Sequence, residues 1–358
     1  MTNKNIAVFD IGGTHFRSAL WTNGRLGPVT RRPAINYLNT AHDSPVELQE
    51  ALADYLVAET KRLQLESRTA INHAGISLGA PVNARSGRVL QSGPLWGPRS
   101  GPFELQVALI RRRLDISWTI ANDVTAGLAS YIQTCDPQKH SRILFVTVST
   151  GIGARLYDFA RGGVPVDPVH GIQGEIGHIK VEAFFRGTRL KSTCDCGGSD
   201  HLNAYSSGRG VLKLLRELST CSPDALAVST MAAARNGDDD TILAEFSRGV
   251  AAADALALDV LATITRPLAL IFSALLTHDP LLDSIVLTGG VVDALEPAYS
   301  ASLDRQFRDH GLFQITECDS SYFARRLRIV APGDLSGLIG AGHLAEMQDE
   351  GRSIHVFR

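Results

Sequence analysis

The chain has 358 residues, of which 44% are hydrophobic and 20% charged, with a formal net charge of −2. That is ordinary globular composition, enough for roughly two domains of about 150 residues or more. A pI near 6.6 leaves no basic excess to bind a phosphate backbone, which argues against nucleic acid as a partner. The polar opening MTNKN reads as no secretory leader, so five reduced cysteines in a cytoplasmic protein are expected.

Residues 5–21, NIAVFDIGGTHFRSALW, read as a strand, a glycine turn and a second strand. Glycines let backbone N–H groups face an anion, and Asp10 at the strand end could hold a hydrated Mg²⁺. A plain hairpin turn would look the same. Residues 44–65 predict a helix, with Ser44 and Glu47 as a capping box and Pro45 at its first position. Residues 70–79 predict a strand that runs into the turn GAPVN. Residues 86–102 predict an exposed, turn-dense loop, in which Trp96 either lines a pocket or plugs an apolar cleft. A strand over 116–121 ends at Asn122-Asp123 and a helix of small residues follows. Asp123 there is a helix cap or a carboxylate facing a ligand crevice.

Residues 142–157, RILFVTVSTGIGARLY, repeat the strand, glycine turn, strand pattern, which suggests a duplicated architecture with a cleft between halves. Residues 171–208 concentrate a carboxylate, two histidines, two thiols and several glycines. Val250 to Thr277 is apolar, but Asp254, Asp259 and Arg266 interrupt it and Pro267 would kink it. Buried helices are expected there, with no membrane contact. Glycine turns recur at 284–293 (SIVLTGGVVD) and at 336–346 (SGLIGAGHLAE), and no GxxxxGK[ST] loop occurs. Several such turns suit a nucleotide held by backbone. The tail GRSIHVFR carries no signal.

Taken together, these motifs resemble the ROK family (repressors, open reading frames and kinases) of the actin/hexokinase-like ATPase superfamily. DIGGT at 10–14, Asn122-Asp123, STGIG at 149–153, EIGH at 175–178 with its CxCG segment, and LTGG at 287–290 carry the resemblance from Asp10 to about Ala345. It implies an α/β, two-domain actin-like ATPase (ribonuclease H-like) fold with an interdomain cleft. The expected division is 1–122 and 123–335, with 336–358 joining the first part. It implies a carbohydrate kinase using Mg-ATP, often on a 6-hydroxyl, with Asp123 as general base. Gly79, Asn122, Asp123, Glu175, His178 and Asn203 would hold the substrate. Asp10, Gly12, Gly13, Thr14, Thr150, Gly151, Gly153, Gly289 and Gly290 would hold the nucleotide, with Asp10 on Mg²⁺ through water. Dimers are common among such proteins.

The family's zinc motif, a His followed by CxCGxxGCxE, is altered here. His201 stands for its third Cys and Asn203 for its Glu. His178, Cys194, Cys196 and His201 then make a four-ligand structural zinc site, since zinc takes imidazole as readily as thiolate. The turn Gly79-Ala80-Pro81 and the segment Ser92–Trp96 also depart from the family pattern, whereas on the ATP side only Ser149 does. Retained kinase chemistry with a shifted substrate is therefore expected. A hexose stands first, with an amino sugar of the kanosamine type or a C7 cyclitol of the valiolone type as the alternative. A sugar-sensing regulator is remote, because only nine residues precede Asp10 and no basic helix-turn-helix segment is present.

Overall fold

The computed structural model describes residues 4–357 apart from 41–43, 69, 98–99 and 332. It divides into two compact units. One holds the chain through Lys139, then Arg155–Gln173, and the segment from Gly333 onward. The other holds His140–Ala154 and Gly174 up to that last segment. The expected boundary after residue 122 is therefore displaced. The Asp123–Ile132 helix belongs with the first unit, because its small residues seat it against the Ser336–Asp349 helix. A Cβ on Gly340 would lie 1.8 Å from the Ala126 carbonyl oxygen.

The first unit is built on a sheet whose central path runs β3 (Arg25–Leu26), β2 (His15–Thr22), β1 (Asn5–Ile11), β5 (His73–Leu78), β6 (Ser117–Asn122), with β4 (Thr30–Pro33) also paired to β2. β1, β5 and β6 are parallel, and every residue of β5 is buried, as expected of a strand covered on both faces. Their register places Ile11, Leu78 and Asn122 in one row, so three carboxyl ends finish level with one another.

One face of this sheet is covered by helix α1 (Pro45–Ser67). Its N-cap Ser44 accepts from the Glu47 N–H, and Pro45 sits at its start. Leu48, Leu52, Leu56 and Leu63 of α1 pack with Phe9, Ile11 and Ile76, each such burial contributing roughly 1.5–3 kcal/mol. Trp96 joins the same core, almost fully buried, with its ring 5.8 Å from that of Phe103. Within its described residues the loop expected over 86–102 is therefore not simply exposed. It has a short helix at Gly93–Trp96 and a plugging tryptophan.

The Ser336–Asp349 helix covers the other face, where Ile6, Val8, Ala19 and Trp21 meet Leu338 and Ala341. It comes so close that a Cβ on Gly75 would lie 2.2 Å from the Ala341 carbonyl oxygen. Of the glycines of SGLIGAG, Gly340 and Gly342 pack against Ala126 and Trp21, and Gly337 lies against the Asp10 carboxylate.

In the second unit the sheet runs Leu327–Ile329, Leu282–Thr288, β7 (Arg142–Val148), β8 (Ile152–Asp158), and β8 continues past Ala154 into the first unit's share of the chain. The apolar stretch from Val250 folds as the end of the Asp239–Ala251 helix, a break, and the Ala255–His278 helix. Asp254 caps the latter by accepting from the Leu256 and Ala257 N–H groups. That helix continues through Pro267. It is long and apolar enough to cross a membrane, but two thirds of its apolar window is buried inside the protein.

Candidate functional site

In the first unit the predicted residues gather at the level strand ends. Asp10, the penultimate residue of β1, pairs in register with Arg17 of β2 and Ser77 of β5. The Ser77 hydroxyl donates to its Oδ1 at 3.0 Å and the Arg17 guanidinium to its Oδ2 at 3.3 Å. Burial pushes the Asp10 carboxyl above its ordinary value, while Ser77 and Arg17 pull it back down. A carboxylate with both oxygens engaged suits a cation held through water better than one bound directly. The tip beyond it, Gly12, Gly13 and exposed Thr14, is a tight turn in which the Gly12 N–H donates to the His15 carbonyl. Asn36 Nδ2 donates to the Gly13 carbonyl at 2.7 Å and anchors the turn.

Gly79 follows β5, and its N–H donates to the Ile11 carbonyl at 2.9 Å. An ideal Cβ on Gly79 would stand 3.7 Å from Asp123 Oδ2 and 3.8 Å from the Gly12 Cα, so these three post-strand positions adjoin. Asn122 ends β6 and caps the helix that Asp123 begins. Its Oδ1 accepts from the Val124 N–H at 2.9 Å and from Arg155 Nη2 at 3.0 Å. Its Nδ2 donates to the Ala80 carbonyl at 3.0 Å and to Asp123 Oδ1 at 2.8 Å. The cap and the crevice readings of this dipeptide thus divide between two residues. Asn122 is the buried cap, and Asp123 is the exposed carboxylate beside the glycine turns.

In the second unit β7 and β8 frame Ser149–Gly151, with the Ser149 N–H on the Gly151 carbonyl and the Gly208 N–H on the Ser149 carbonyl. Thr150 and Gly151 are exposed and Gly153 is half-buried. Gly289 and Gly290 lead from the Leu282–Thr288 strand into the Gly290–Leu295 helix. Gly289 has φ +111, and a Cβ there would lie 2.4 Å from the Val148 carbonyl oxygen, so glycine is required.

Glu175 precedes the short 3₁₀ turn Ile176–His178. Asn203, which opens the helical turn Asn203–Ser206, accepts the Ile152 N–H on Oδ1 at 2.7 Å. It therefore braces the STGIG turn. Gly177 lies between them, since a Cβ there would stand 2.3 Å from the Ile152 carbonyl oxygen and 2.6 Å from the Asn203 amide. The glycine of EIGH is what lets Asn203 reach that strand.

The metal-ligand candidates converge. One ligand atom from each of His178, Cys194, Cys196 and His201 lies within 4.8 Å of every other. His178 Nδ1 and His201 Nδ1 are 3.4 Å apart, and Cys196 Sγ is 3.2 Å from His201 Nδ1. Ligands at about 2.0–2.3 Å from one ion would make tetrahedron edges of roughly this length. Gly197, at φ +88, turns the chain so that the Cys194 N–H reaches the Gly198 carbonyl at 2.8 Å. Asp195 faces outward and pairs with Arg209 at 2.6 Å and Lys213 at 2.7 Å. This two-cysteine, two-histidine set fits zinc, and with four protein donors it leaves no open position for catalysis.

A family model described as the ROK family matches residues 6–348. The chain belongs to the ROK family. It is 37% identical over 341 residues to a 2-epi-5-epi-valiolone 7-kinase of Actinoplanes sp. SE50/110, covering 94% of this chain and 91% of that protein. It is 30% identical to a C(7)-cyclitol 7-kinase of Streptomyces hygroscopicus subsp. jinggangensis, covering 95% and 93%. A ROK family glucokinase from Streptomyces griseus, solved with glucose and AMPPNP, superposes with a TM-score of 0.65 at 19% identity, covering 96% of this chain and 99% of that one. The fold is that of the two-domain actin-like ATPases.

Arg155, Arg17 and Ser77 escaped the sequence reading. Arg155 sits in the middle of the strand IGARLYD, flanked by Ala154 and Leu156. A charge between two apolar residues was the available signal, and alternation alone could not say that it points inward.

Proposed function

We propose that this ROK kinase transfers the γ-phosphate of Mg-ATP to the exocyclic primary hydroxyl of a C7 cyclitol of the valiolone type. The observation that carries the substrate class is the similarity, over more than nine tenths of the chain, to proteins named as cyclitol 7-kinases. The reading from motifs alone put a hexose first and the cyclitol second, and these relatives favour the reverse order.

The acceptor hydroxyl oxygen forms the new bond to γ-phosphorus, the bond from γ-phosphorus to the β-bridging oxygen breaks, and ADP leaves. Asp123 takes the hydroxyl proton. Its Oδ1 accepts from the Asn122 Nδ2–H and the Val124 N–H, and its Oδ2 lies beside Gly79. We assign phosphate binding through backbone to Gly12, Gly13 and Thr14 of the first unit; in the second unit we assign it to Thr150, Gly151 and Gly153, and the adenosine to Gly289 and Gly290. Asp10 would hold Mg²⁺, and the ion would supply charge neutralisation on the phosphates.

Glu175, His178 and Asn203 contact the polyol. Asn203 Oδ1 already accepts from Ile152, so this side chain offers the substrate a donor, Nδ2–H. A valiolone-type ring has a ketone in place of a hemiacetal, and a ketone oxygen only accepts. A carboxylate at 203 would repel it. With Nδ1 of His178 turned to the metal set, its Nε2 is the nitrogen left for a hydroxyl.

The test is a panel of C7 cyclitols, glucose, mannose, N-acetylmannosamine and kanosamine, with ADP release as the rate and ³¹P spectra to locate the ester. The largest kcat/KM on a C7 cyclitol, with a primary phosphate ester as product, is expected. A larger value on a hexose overturns the substrate assignment, and an absence of ADP release with every polyol overturns the kinase mechanism.

A further inference from the structure

We infer that Arg155 is a positioning residue for phosphoryl transfer, acting on Asp123 through the side-chain amide of Asn122. Arg155 is 5% exposed, and its guanidinium donates to three acceptors within the first unit. Nε donates to Thr125 Oγ1 at 2.9 Å, Nη1 to the Gln173 carbonyl at 2.6 Å, and Nη2 to Asn122 Oδ1 at 3.0 Å. Gln173 is itself fixed, with Oε1 accepting the Leu156 N–H at 2.7 Å and Nε2 donating to the Pro165 carbonyl at 2.8 Å. Thr125 belongs to the helix that Asp123 begins. The guanidinium therefore ties β8, the 171–173 loop and the catalytic helix to one amide.

The chemistry of the donors fixes which way that amide points. A guanidinium nitrogen and a backbone N–H only donate, so the Asn122 atom facing both Arg155 and Val124 must be the oxygen. Nδ2 is then turned to its two acceptors, the Ala80 carbonyl and Asp123 Oδ1. All four hydrogen-bonding positions of the Asn122 amide are engaged. Asn122 is accordingly the link between Arg155 and the carboxylate. A charged donor on Oδ1 also polarises the amide and strengthens its Nδ2–H bond to Asp123.

A buried cation is costly to keep out of water unless every donor is met. Here it stands beside a cavity lined by Val82, Ile120, Asn122, Gln173 and His355. His355, on the short strand His355–Val356 that pairs with Val164–Pro165, is held uncharged at neutral pH by burial and by the Arg155 charge. No second positive charge then competes for the Asn122 oxygen.

The inference rests on Asp123 as the base, and the experiment separates the two. Arg155→Met and Arg155→Lys are assayed on whichever polyol the wild type phosphorylates, with thermal midpoints confirming that each is folded. A displacement of the carboxylate by a fraction of an ångström lowers kcat by about 10- to 100-fold. We expect that fall for Arg155→Met, with KM for both substrates within about twofold and a smaller fall for Arg155→Lys, which keeps one charged donor. In an Asn122→Ala background, Arg155→Met should cost little further, because the link is already gone. Additive losses, an unchanged kcat, or a loss confined to KM overturn the inference. If the acceptor is a hexose, the substrate assignment fails and the same cycle still reads Arg155. If no polyol is turned over, the Asn122 side-chain amide signals in ¹⁵N spectra decide. They should shift in Arg155→Met, and unmoved signals overturn the inference.

Discussion

The ends of β5 and β6 in the first unit and the 174–208 stretch in the second solve the same problem in opposite ways. Around Asn122 and Asp123, polar atoms are paired with other atoms of the chain, and the cap, the Arg155 fork and the Ala80 carbonyl hold the amide without outside help. Around His178, Cys194, Cys196 and His201, donors face one another at 3.2–3.4 Å in a segment of turns and isolated bridges. Its own apolar support is small: Ala183, Cys194, Ala204 and Tyr205. The first arrangement is complete as folded. The second converges on a point that one cation would neutralise. Preorganisation by hydrogen bonds and preorganisation by a metal should therefore fail under different treatments.

The largest expected effect is Asp123→Asn. The amide keeps an oxygen for the Asn122 and Val124 donors but cannot take a proton, so kcat should fall by about 10³-fold while nucleotide affinity, read by calorimetry, stays within about twofold. Retained turnover would remove Asp123 as the base and leave the first region a purely structural cap. Next comes the metal set. Purified protein should carry about one zinc per chain by elemental analysis, and Cys194→Ala should lose it together with about 3 kcal/mol or more of stability. If chelation leaves the thermal midpoint unmoved, the contrast between the regions collapses.

Gly177→Ala probes the joint between the knot and the STGIG turn. Its Cβ would sit 2.3 Å from the Ile152 carbonyl oxygen, so a loss of about 1–3 kcal/mol is expected. KM for ATP should rise as Asn203 is pushed from the Ile152 N–H, and an unchanged KM would detach the knot from the phosphate turn.

The smallest effect concerns His355, whose ordinary value of 6.5 is lowered to about 4 by burial first and the Arg155 charge second. Between about pH 4 and 6.5 the unfolded chain binds a proton that the folded chain refuses. Stability from this group is thus fully present above pH 6.5 and lost as pH falls toward 4. By pH 5 the loss should reach about 2 kcal/mol. Comparing denaturant midpoints at pH 7 and 5 for wild type and His355→Gln checks this. Equal slopes would show that the tail does not seal the cavity beside Arg155.

Much of the frame was legible from local signals. The Ser44–Pro45 start of α1, the two strand–glycine–strand hairpins, and the strand ending at Asn122-Asp123 follow from propensity, capping and turn chemistry, which act over a few residues. The four metal-ligand candidates were legible for the same reason, since three of them lie within eight residues. What escaped depends on residues far apart in the chain. Arg155 gains its meaning from Asn122, 33 positions away, and from Gln173. The tail at His355 reads as featureless until it pairs with Val164. Among the glycines of the last helix, Gly340 lies where that helix meets Ala126, Gly342 where it meets Trp21, and Gly337 where it meets the Asp10 carboxylate.

The sequence by itself determined the family, the order of the glycine turns and the identity of the carboxylate at the end of β6, because each is written in short contiguous motifs. It also marked where this member departs, at His201 and Asn203. Only the tertiary structure decided what those residues do. Asn122 became a linking cap because a buried guanidinium from another strand dictates the orientation of its amide. Asn203 became a brace because Gly177 lets it reach the Ile152 N–H. Hydrogen-bond direction and close approach are properties of atoms brought together by folding, and no spacing along the chain encodes them.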